Sequence, residues 1–252
     1  MKVIYFYHVP KTGGSFIKRN LRKISNQLNC KYFNFYKKPI KNCTDCNILH
    51  CNCNIFTNKE RNNNLVNTLR YINTNINKKY IIIHHHHGYC GLKDIKQEIL
   101  DLRNRLEKNG DTFYMFACIR ENISFNISRV NYISNDIKHE RYISFTDFIK
   151  DKMQHNYQTK YILYNRNTDK NLSSNKEDLI DILELFDKIY LTKNIKDIYE
   201  DLKCVLQTNI KWDSSIRNIS TKTKFPSKLE IDNLNKLNSL DIWFYELIKD
   251  LY

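Results

Sequence analysis

The pattern of apolar and polar positions predicts strands that alternate with helices. Residues 2–7 form an unbroken apolar and aromatic run typical of a buried strand, and a polar loop from Pro10 to Gly14 ends it. Beyond Ser15, apolar side chains recur at helical spacing as far as about residue 26. Further strands are predicted at 80–83, 112–118 and 188–191.

Between and after these strands the apolar spacing predicts helices. They fall at 94–108, 123–134, 145–153, 157–165 and 179–186, with two more at the end of the chain. Such alternation indicates the α/β class, a central parallel sheet flanked by helices, as one domain over 1–252. Residues 27–79 are rich in Asn, Lys and Cys and only weakly periodic, which predicts an irregular insertion with one helix near 60–72.

The charge balance indicates which kinds of partner the protein could bind, but it does not bear on the fold. Lys and Arg number 41 against 27 Asp and Glu, a net charge of +14. Such a surface attracts nucleic acid, acidic membranes, anionic glycans or nucleotide cofactors, and a merely solvated Lys-rich surface is the open alternative. No apolar stretch approaches the ~20 residues of a membrane span, and residues 2–7 run into a polar loop without a signal-peptide cleavage site. We therefore expect a soluble chain.

The loop after the first strand has the composition of an anion site. It runs His-Val-Pro-Lys-Thr-Gly-Gly-Ser over residues 8–15. Gly13 and Gly14 let backbone N–H groups approach an anion, and the following helix adds its N-terminal dipole. Lys11 supplies a point charge, while Thr12 and Ser15 supply hydroxyl donors. The Walker pattern, in which Lys follows the last glycine, does not fit, and an ordinary glycine-rich turn is the competing interpretation.

The whole octet resembles the 5'-phosphosulfate loop of carbohydrate sulfotransferases, whose usual form is His-x-Pro-Lys-Thr-Gly-Gly-Thr/Ser. The resemblance implies a P-loop-like sulfotransferase fold. It also implies use of 3'-phosphoadenosine 5'-phosphosulfate (PAPS) as sulfuryl donor. The expected contacts of the phosphosulfate are Pro10, Lys11, Thr12, Gly13, Gly14 and Ser15.

A second motif follows the strand at 112–118. Arg120 stands at the strand end and Ser128 lies eight positions further on, which resembles the family's Arg and Ser that grip the 3'-phosphate. A guanidinium and a hydroxyl two helical turns into the next helix can converge on one phosphate. The family's Asp-Pro after the Arg is Glu121-Asn122 in this chain, so we expect the turn to differ.

Weaker similarities continue toward the C-terminus and resemble the heparan and uronyl 2-O-sulfotransferase branch. Gln158-Thr159-Lys160-Tyr161 is similar to a Gln-Thr-Arg-Tyr helix, and Thr192-Lys193 to a Thr-Glu pair. Residues 216–222 are similar to the loop that covers the cofactor. That similarity implies further contacts of the nucleotide at Arg217, Asn218, Ser220, Thr221 and Lys222.

Four consecutive histidines, residues 84–87, end the strand that begins at Tyr80. Sulfuryl transfer needs a base for the acceptor hydroxyl, and neutral imidazole suits that role near pH 7. Matching Gly91 to the family's pattern implies His87 as the base and His85 as its companion on the same face of the strand. Metal binding, or strand-end residues without chemistry, are the alternatives.

Four cysteines lie close together in the insertion, at Cys43, Cys46, Cys51 and Cys53. Four thiolates, or three with His50, fit a tetrahedral structural zinc. The Cys-x-Cys half does not match common zinc spacings, so disulfides and free thiols remain equally open.

The resemblance implies in-line displacement at sulfur without a catalytic metal, with Lys11 and the loop N–H groups stabilising the developing charge. The charge and the branch favour an anionic glycan as the hydroxyl acceptor, with a protein tyrosine or a small molecule as the open alternatives, and no nucleic acid is expected. Glycosylation sequons at Asn122 and Asn126 fall inside the 3'-phosphate motif, which favours the cytoplasm, although a Golgi or secretory lumen stays open if an anchor has been removed. Oligomeric state is not predicted.

Two other functions are compatible with a basic α/β protein. A nucleotide or small-molecule kinase also uses a phosphate loop on a parallel sheet, but it needs a Mg²⁺ carboxylate at a strand end and a Walker-type Lys. A non-enzymatic protein that binds nucleic acid or glycans would use the loop only to contact phosphates.

Overall fold

Five parallel strands form the central sheet in the computed structural model of the chain. They are β1 (Lys2–Tyr7), β2 (Lys31–Phe35), β3 (Tyr80–His85), β4 (Thr112–Ile119) and β5 (Lys188–Leu191), in the order β2-β3-β1-β4-β5. The structure describes residues 1–35, 58–72, 78–86, 90–134, 143–164, 175–215 and 224–252, with the backbone alone at 58–63. Because every strand pair is parallel, the carboxyl ends of all five strands meet at one edge of the sheet.

Helices connect and cover these strands. They are α1 (Gly14–Gln27), α2 (Asn58–Tyr71), α3 (Leu92–Lys108), α4 (Asn122–Ser134), α5 (Phe145–Lys150), α6 (Tyr157–Tyr164), α7 (Lys176–Leu183), α8 (Asp197–Leu206), α9 (Lys228–Leu237) and α10 (Ser239–Leu251). The predicted α/β class, a parallel sheet flanked by helices, is confirmed. Within the described ranges, three helices follow β5, where two were predicted. The helix predicted at 145–153 ends at Lys150, because the Asp151 side chain caps a separate 3-10 turn over Lys152–Gln154.

The core lies on both faces of the sheet because side chains alternate along each strand. Val3, Tyr5 and Tyr7 of β1 pack with α2, α3, α6, α7 and α10 on one face. Ile4 and Phe6 pack with α1 and α8 on the other. All five of these side chains are at most 1% exposed, so β1, the middle strand of the sheet, is buried on both of its faces.

The edge strand β2 lies inside the segment that was predicted to be irregular. The prediction of irregular structure from residue 27 is wrong for residues 31–35, which pair with β3 in parallel register, Asn34 opposite His84. This strand is hard to recognise in the sequence, because only Phe35 is buried and the other four positions are exposed or partly exposed.

A smaller cluster of apolar side chains lies beside the carboxyl end of β4. Val130 and Ile133 of α4, Phe145 and Phe148 of α5, and Leu234 of α9 form it. The cluster fixes α4, the helix that carries Ser128, against the rest of the molecule. Among the described residues, no helix has the length and apolar character that crossing a membrane requires.

Candidate active site at the carboxyl edge of the sheet

The loop between β1 and α1 curls over the carboxyl end of β1. Lys11 has φ 64° and Gly13 has φ 87°, so two of its residues adopt the left-handed conformation that makes a tight turn. Thr12 is fully buried and its hydroxyl donates to the Val9 carbonyl at 2.8 Å, which holds the turn closed. Thr12 therefore serves the shape of the loop, and its hydroxyl is already engaged.

The two loop glycines are needed for different reasons. Gly13 requires its positive φ, while Gly14 requires the absence of a side chain. A Cβ on Gly14 would lie 1.7 Å from Nε2 of His8, so the imidazole packs directly on the first turn of α1. Ser15 is exposed in that same turn. No acidic residue occupies the first turn of α1, which leaves the positive end of its dipole available to an anion.

Arg120 joins this loop from the end of β4. Its Nη1 donates to the Lys11 carbonyl at 3.4 Å and its Nε donates to the Ser124 hydroxyl at 3.1 Å. The Gln158 amide clamps the Arg120 backbone, accepting from its N–H and donating to its carbonyl, both at 2.8 Å. The two predicted motifs are thus in direct contact, and α6 holds the arginine in place. The Thr192 hydroxyl, directly after β5, donates to the Ile119 carbonyl at 2.9 Å and so ties the end of β5 to the end of β4.

Lys11, Arg120 and Arg129 lie close enough together to repel one another, which makes this region favourable for an anion. Burial, and secondarily repulsion from Arg120 and Arg129, lowers the pKa of Lys11 to about 8. The Lys11 ammonium lies 4.0 Å from the centre of the Tyr132 ring, a cation–π contact that partly compensates the burial. Burial also lowers the pKa of Arg120. A phosphate or sulfate between these cations would relieve their repulsion and favour their charged forms.

The second motif differs in detail from the predicted one. Ser128 is 6% exposed on α4, whereas Ser124, one turn earlier, is the hydroxyl bonded to Arg120. The substitution of Glu121-Asn122 for the family's Asp-Pro has a structural explanation. The Glu121 carboxylate accepts from the N–H groups of Ile123 and Ser124 at 2.8 Å and so caps α4.

Arg129 was not identified from the sequence, although it adjoins Ser128. It is 8% exposed, and its guanidinium carbon lies 3.4 Å from the centre of the Tyr157 ring. Its charge contributes, after burial and Arg120, to the lowered pKa of Lys11 in the loop between β1 and α1. In the sequence, its position directly after the predicted phosphate ligand Ser128 is the signal that could have indicated it.

The histidine run divides between the two faces of the sheet. His85 is fully buried on the face of Tyr7, and its Nδ1 lies 2.8 Å from the Tyr5 hydroxyl. His84 and His86 lie on the face of α1, against His8 of the phosphate loop. The predicted companion histidine therefore points into the core, away from the loop. The predicted base, His87, lies outside the described residues.

Amide side chains anchor the chain on both sides of residues 216–223. The Asn20 amide of α1 accepts from the Asp213 N–H at 2.7 Å and donates to its carbonyl at 3.1 Å. The Asn131 amide of α4 bonds both backbone groups of Lys224 at 2.9 Å. Both asparagines are fully buried. Asp213 is thus held by α1, and Lys224 is held by α4.

Several predicted residues fall outside the described part of the chain. They are His87, the zinc candidates Cys43, Cys46, Cys51 and Cys53, and the predicted nucleotide contacts Arg217, Asn218, Ser220, Thr221 and Lys222. Within the described ranges, no three His, Cys, Asp or Glu side chains are grouped as a metal site would require. The described cysteines, at positions 30, 90, 118 and 204, form no disulfide with one another.

Comparison with known proteins yields distant structural similarity. No family model matches the chain, and no curated protein matches its sequence. Mouse sulfotransferase SULT7A1 complexed with PAP aligns with a TM-score of 0.41 and 9% identity over 96% of this chain and 66% of its own, so the chain spans just under two thirds of the mouse chain. A sulfotransferase from Alicyclobacillus acidocaldarius aligns with a TM-score of 0.45 and 11% identity over 94% of this chain and 91% of its own. Similarities this distant carry no argument about activity.

Proposed function

We propose that the protein is a sulfotransferase that moves the sulfuryl group of PAPS to an acceptor hydroxyl. The octet at residues 8–15 and the Arg120 motif, which resemble the family's two nucleotide motifs, support this proposal. The observation that carries it is their convergence, with the Arg120 guanidinium 3.4 Å from the carbonyl oxygen of Lys11 at the start of α1. A nucleotide with phosphates on both its 5' and 3' sides suits two cationic groups fixed this way.

In this arrangement each group of residues binds a different part of the nucleotide. Lys11, Gly13, Gly14 and Ser15 hold the 5'-phosphosulfate, and Lys11 stabilises the charge that develops on the bridging oxygen as the S–O bond breaks. Arg120, with Ser124 and Ser128 on α4, holds the 3'-phosphate. Pro10, buried before the turn, and Thr12 shape the loop around them.

The remaining nucleotide contacts lie on residues 216–223. We propose that Arg217, Asn218, Ser220, Thr221 and Lys222 bind the nucleotide, as their resemblance to the family's loop implies. The anchors of this segment on α1 and α4 support the proposal, because these are the helices that begin at the two phosphate motifs.

The acceptor's proton passes to a histidine of the 84–87 run. As the acceptor oxygen attacks sulfur, its O–H proton moves to imidazole and the phosphate oxygen of the nucleotide departs with the bonding pair. His85 is poorly suited, since the Tyr5 hydroxyl and the Cys90 backbone engage it in the core. His86 and His87 are the remaining candidates at the strand end. An anionic glycan is the proposed acceptor, supported by the net charge of +14.

A kinase is not favoured. The carboxylate nearest the second motif, Glu121, is engaged in capping α4 rather than turned to a metal. Lys11 also precedes the glycines of the loop instead of following them. A protein that only binds polyanions would need cations on its open surface, whereas Lys11 is half-buried in the loop and packs on the Tyr132 ring.

Thermal unfolding with nucleotides tests the proposal. At a concentration 100 times its Kd, desulfated PAPS (PAP) should stabilise the native state by about 2.7 kcal/mol. That corresponds to a rise in Tm of roughly 5–10 °C for a domain of this size. ATP should stabilise much less. Transfer of radiolabelled sulfate from PAPS to a panel of glycans, tyrosyl peptides and phenols then identifies the acceptor. Equal stabilisation by ATP and PAP, without any sulfate transfer, would refute the proposal.

A further inference from the structure

The N-termini of α6 and α10 are capped by each other's side chains. Oδ1 of Asn156, the residue before α6, accepts from the N–H groups of Leu240 and Asp241 in the first turn of α10, at 3.0 and 3.2 Å. In return, the Asp241 carboxylate accepts from the N–H groups of Gln158 and Thr159 in the first turn of α6, at 3.1 and 2.9 Å. Two of the first N–H groups of each helix, which have no partner within their own helix, are thus satisfied by the other helix.

Burial distinguishes this reciprocal cap from other helix caps of the protein. The caps of α5, α7 and α9 come from Ser144, Asn175 and Ser227, which stand directly before their helices at exposed or half-buried positions. Asp241 is 2% exposed, and among the described residues it is the one carboxyl group that is buried. The Thr159 hydroxyl donates a third hydrogen bond to it at 2.8 Å. A carboxylate removed from water needs such bonds to offset its lost hydration.

Gln158 connects the reciprocal cap to the phosphate site. Its backbone N–H donates to Asp241, while its side-chain amide holds both backbone groups of Arg120 at 2.8 Å. Gln158 is itself only 2% exposed. The Arg120 guanidinium in turn donates to the Lys11 carbonyl at 3.4 Å. A continuous series of contacts therefore runs from Asp241 in α10, through the first turn of α6, to the loop at residues 8–15.

We propose that Asp241 is a positioning residue for recognition of the 3'-phosphate, and that through Gln158 it holds Arg120 where its guanidinium meets that phosphate. This assignment rests on the proposed sulfotransferase function, in which Arg120 binds the 3'-phosphate. A guanidinium pairs with phosphate through donors in a fixed planar geometry, so a small displacement of its backbone weakens the contact. Asp241 acts only through these two residues and takes no part in the chemical step.

Two nucleotides that differ only in the 3'-phosphate test this role. PAP and adenosine 5'-phosphate are titrated by calorimetry into wild type and Asp241→Asn. Asparagine keeps one acceptor oxygen but turns an NH2 group toward the second N–H donor of α6, so the cap weakens at nearly constant volume. The affinity for PAP should fall about tenfold, whereas that for adenosine 5'-phosphate should stay within about twofold of wild type.

Steady-state kinetics give a second measurement of the same effect. In Asp241→Asn the KM for PAPS should rise while kcat stays nearly unchanged, because the 3'-phosphate is bound alike in the ground state and the transition state. An equal loss of affinity for PAP and for adenosine 5'-phosphate, or a loss of kcat alone, would overturn the proposal.

Asn175→Ala is the matched control. It removes the cap of α7, a hydrogen bond of 2.7 Å from the Asp178 N–H, and so reduces stability in the same way at a different helix. Its affinities for both nucleotides should equal those of wild type. If Asn175→Ala weakens PAP binding as much as Asp241→Asn does, general loss of stability explains the effect and Asp241 has no positioning role.

A double-mutant cycle tests whether the effect passes through Gln158. Gln158→Leu removes the amide that holds the Arg120 backbone, so it should weaken PAP binding by itself. Adding Asp241→Asn to Gln158→Leu should then change the affinity for PAP by less than about twofold. Full additivity of the two losses would show that Asp241 acts by another route.

Hydrogen exchange at the Arg120 amide tests the series of contacts without any nucleotide. That N–H donates to the Gln158 side chain, so in Asp241→Asn it should exchange about tenfold faster relative to the Tyr5 amide of β1, which reports global unfolding. Faster exchange in the variant, combined with a wild type that does not bind PAP, would sink the proposed function and leave the series of contacts standing. Unchanged exchange at Arg120 would overturn the positioning role even if the double variant fails to fold.

Discussion

Mild acid should destabilise this protein far more than its composition alone suggests. Burial holds the pKa values of His84, His85 and His86 at about 2, 3 and 4, each well below the ordinary value of 6.5. In the unfolded chain these histidines take up protons near pH 6.5, whereas the folded protein does not. The unfolded state therefore binds more protons, and the free energy of unfolding falls as the pH drops below 6.5.

The size of the loss follows from the same pKa values. Between pH 7.5 and pH 5.5, a histidine that titrates at 6.5 when unfolded and stays neutral when folded costs about 1.4 kcal/mol. Three of them cost about 4 kcal/mol, a large share of a typical stability of roughly 5–15 kcal/mol. Burial raises the pKa of Asp241, so that carboxyl opposes the trend, but only if its pKa reaches this range.

Urea unfolding at the two pH values measures the loss, and two variants identify its source. His85→Phe removes one of the three buried imidazoles, so its loss between pH 7.5 and 5.5 should shrink to about 2.7 kcal/mol. Tyr5→Phe removes only the hydroxyl 2.8 Å from Nδ1 of His85. It should be less stable at both pH values yet keep the full loss of about 4 kcal/mol.

An unchanged urea midpoint and slope between pH 7.5 and 5.5 would refute the reasoning, because it would mean that the folded protein takes up protons on these rings. A loss that is the same in His85→Phe as in wild type would show that the effect arises elsewhere.

Three further predictions concern the phosphate site. Arg120→Ala should abolish the preference for nucleotides with a 3'-phosphate, measured by titration calorimetry with PAP and with adenosine 5'-phosphosulfate, and equal discrimination in the variant would contradict the assigned contact. Gly14→Ala should destabilise the protein by about 1–3 kcal/mol, since its Cβ would collide with His8, whereas Gly110→Ala, with open space around it, should lose only the roughly 1 kcal/mol of its positive φ. Lys11→Ala should weaken both PAP binding and kcat/KM; a change in KM alone would mean that the charge does not act in the transition state.

The parts of the fold that local pattern determines were predictable. The uniform apolar run of β1, the glycine loop and the helical spacing of α1 lie next to one another, so neighbouring residues were enough to predict them. Edge strand β2 was missed because an exposed edge strand needs few apolar residues. The polar residues Lys31 and Asn34 are also typical of a loop.

The candidate site depends on contacts that no local pattern contains. Strand alternation indicated that adjacent histidines face opposite ways, but only the register with β1 reveals that His84, not His85, faces the phosphate loop. Gln158 clamps Arg120 from 38 positions away, and nothing near either residue indicates the partner. All the predicted roles stay predictions: the phosphosulfate contacts in the loop at residues 10–15, the 3'-phosphate contacts at Arg120 and Ser128, and the base at His87. The nucleotide contacts at Arg217, Asn218, Ser220, Thr221 and Lys222 likewise stay predictions.

The amide anchors have a consequence for how freely the sequence between them can vary. The Asn20 and Asn131 amides bond backbone groups of Asp213 and Lys224, so these four contacts do not depend on which side chains stand at positions 213 and 224. Both attachment points lie outside residues 216–223, so the amide contacts place no demand on the sequence of that segment. Substitutions within residues 216–223 would leave all four contacts in place, and that part of the chain can therefore vary in sequence without loss of these anchors.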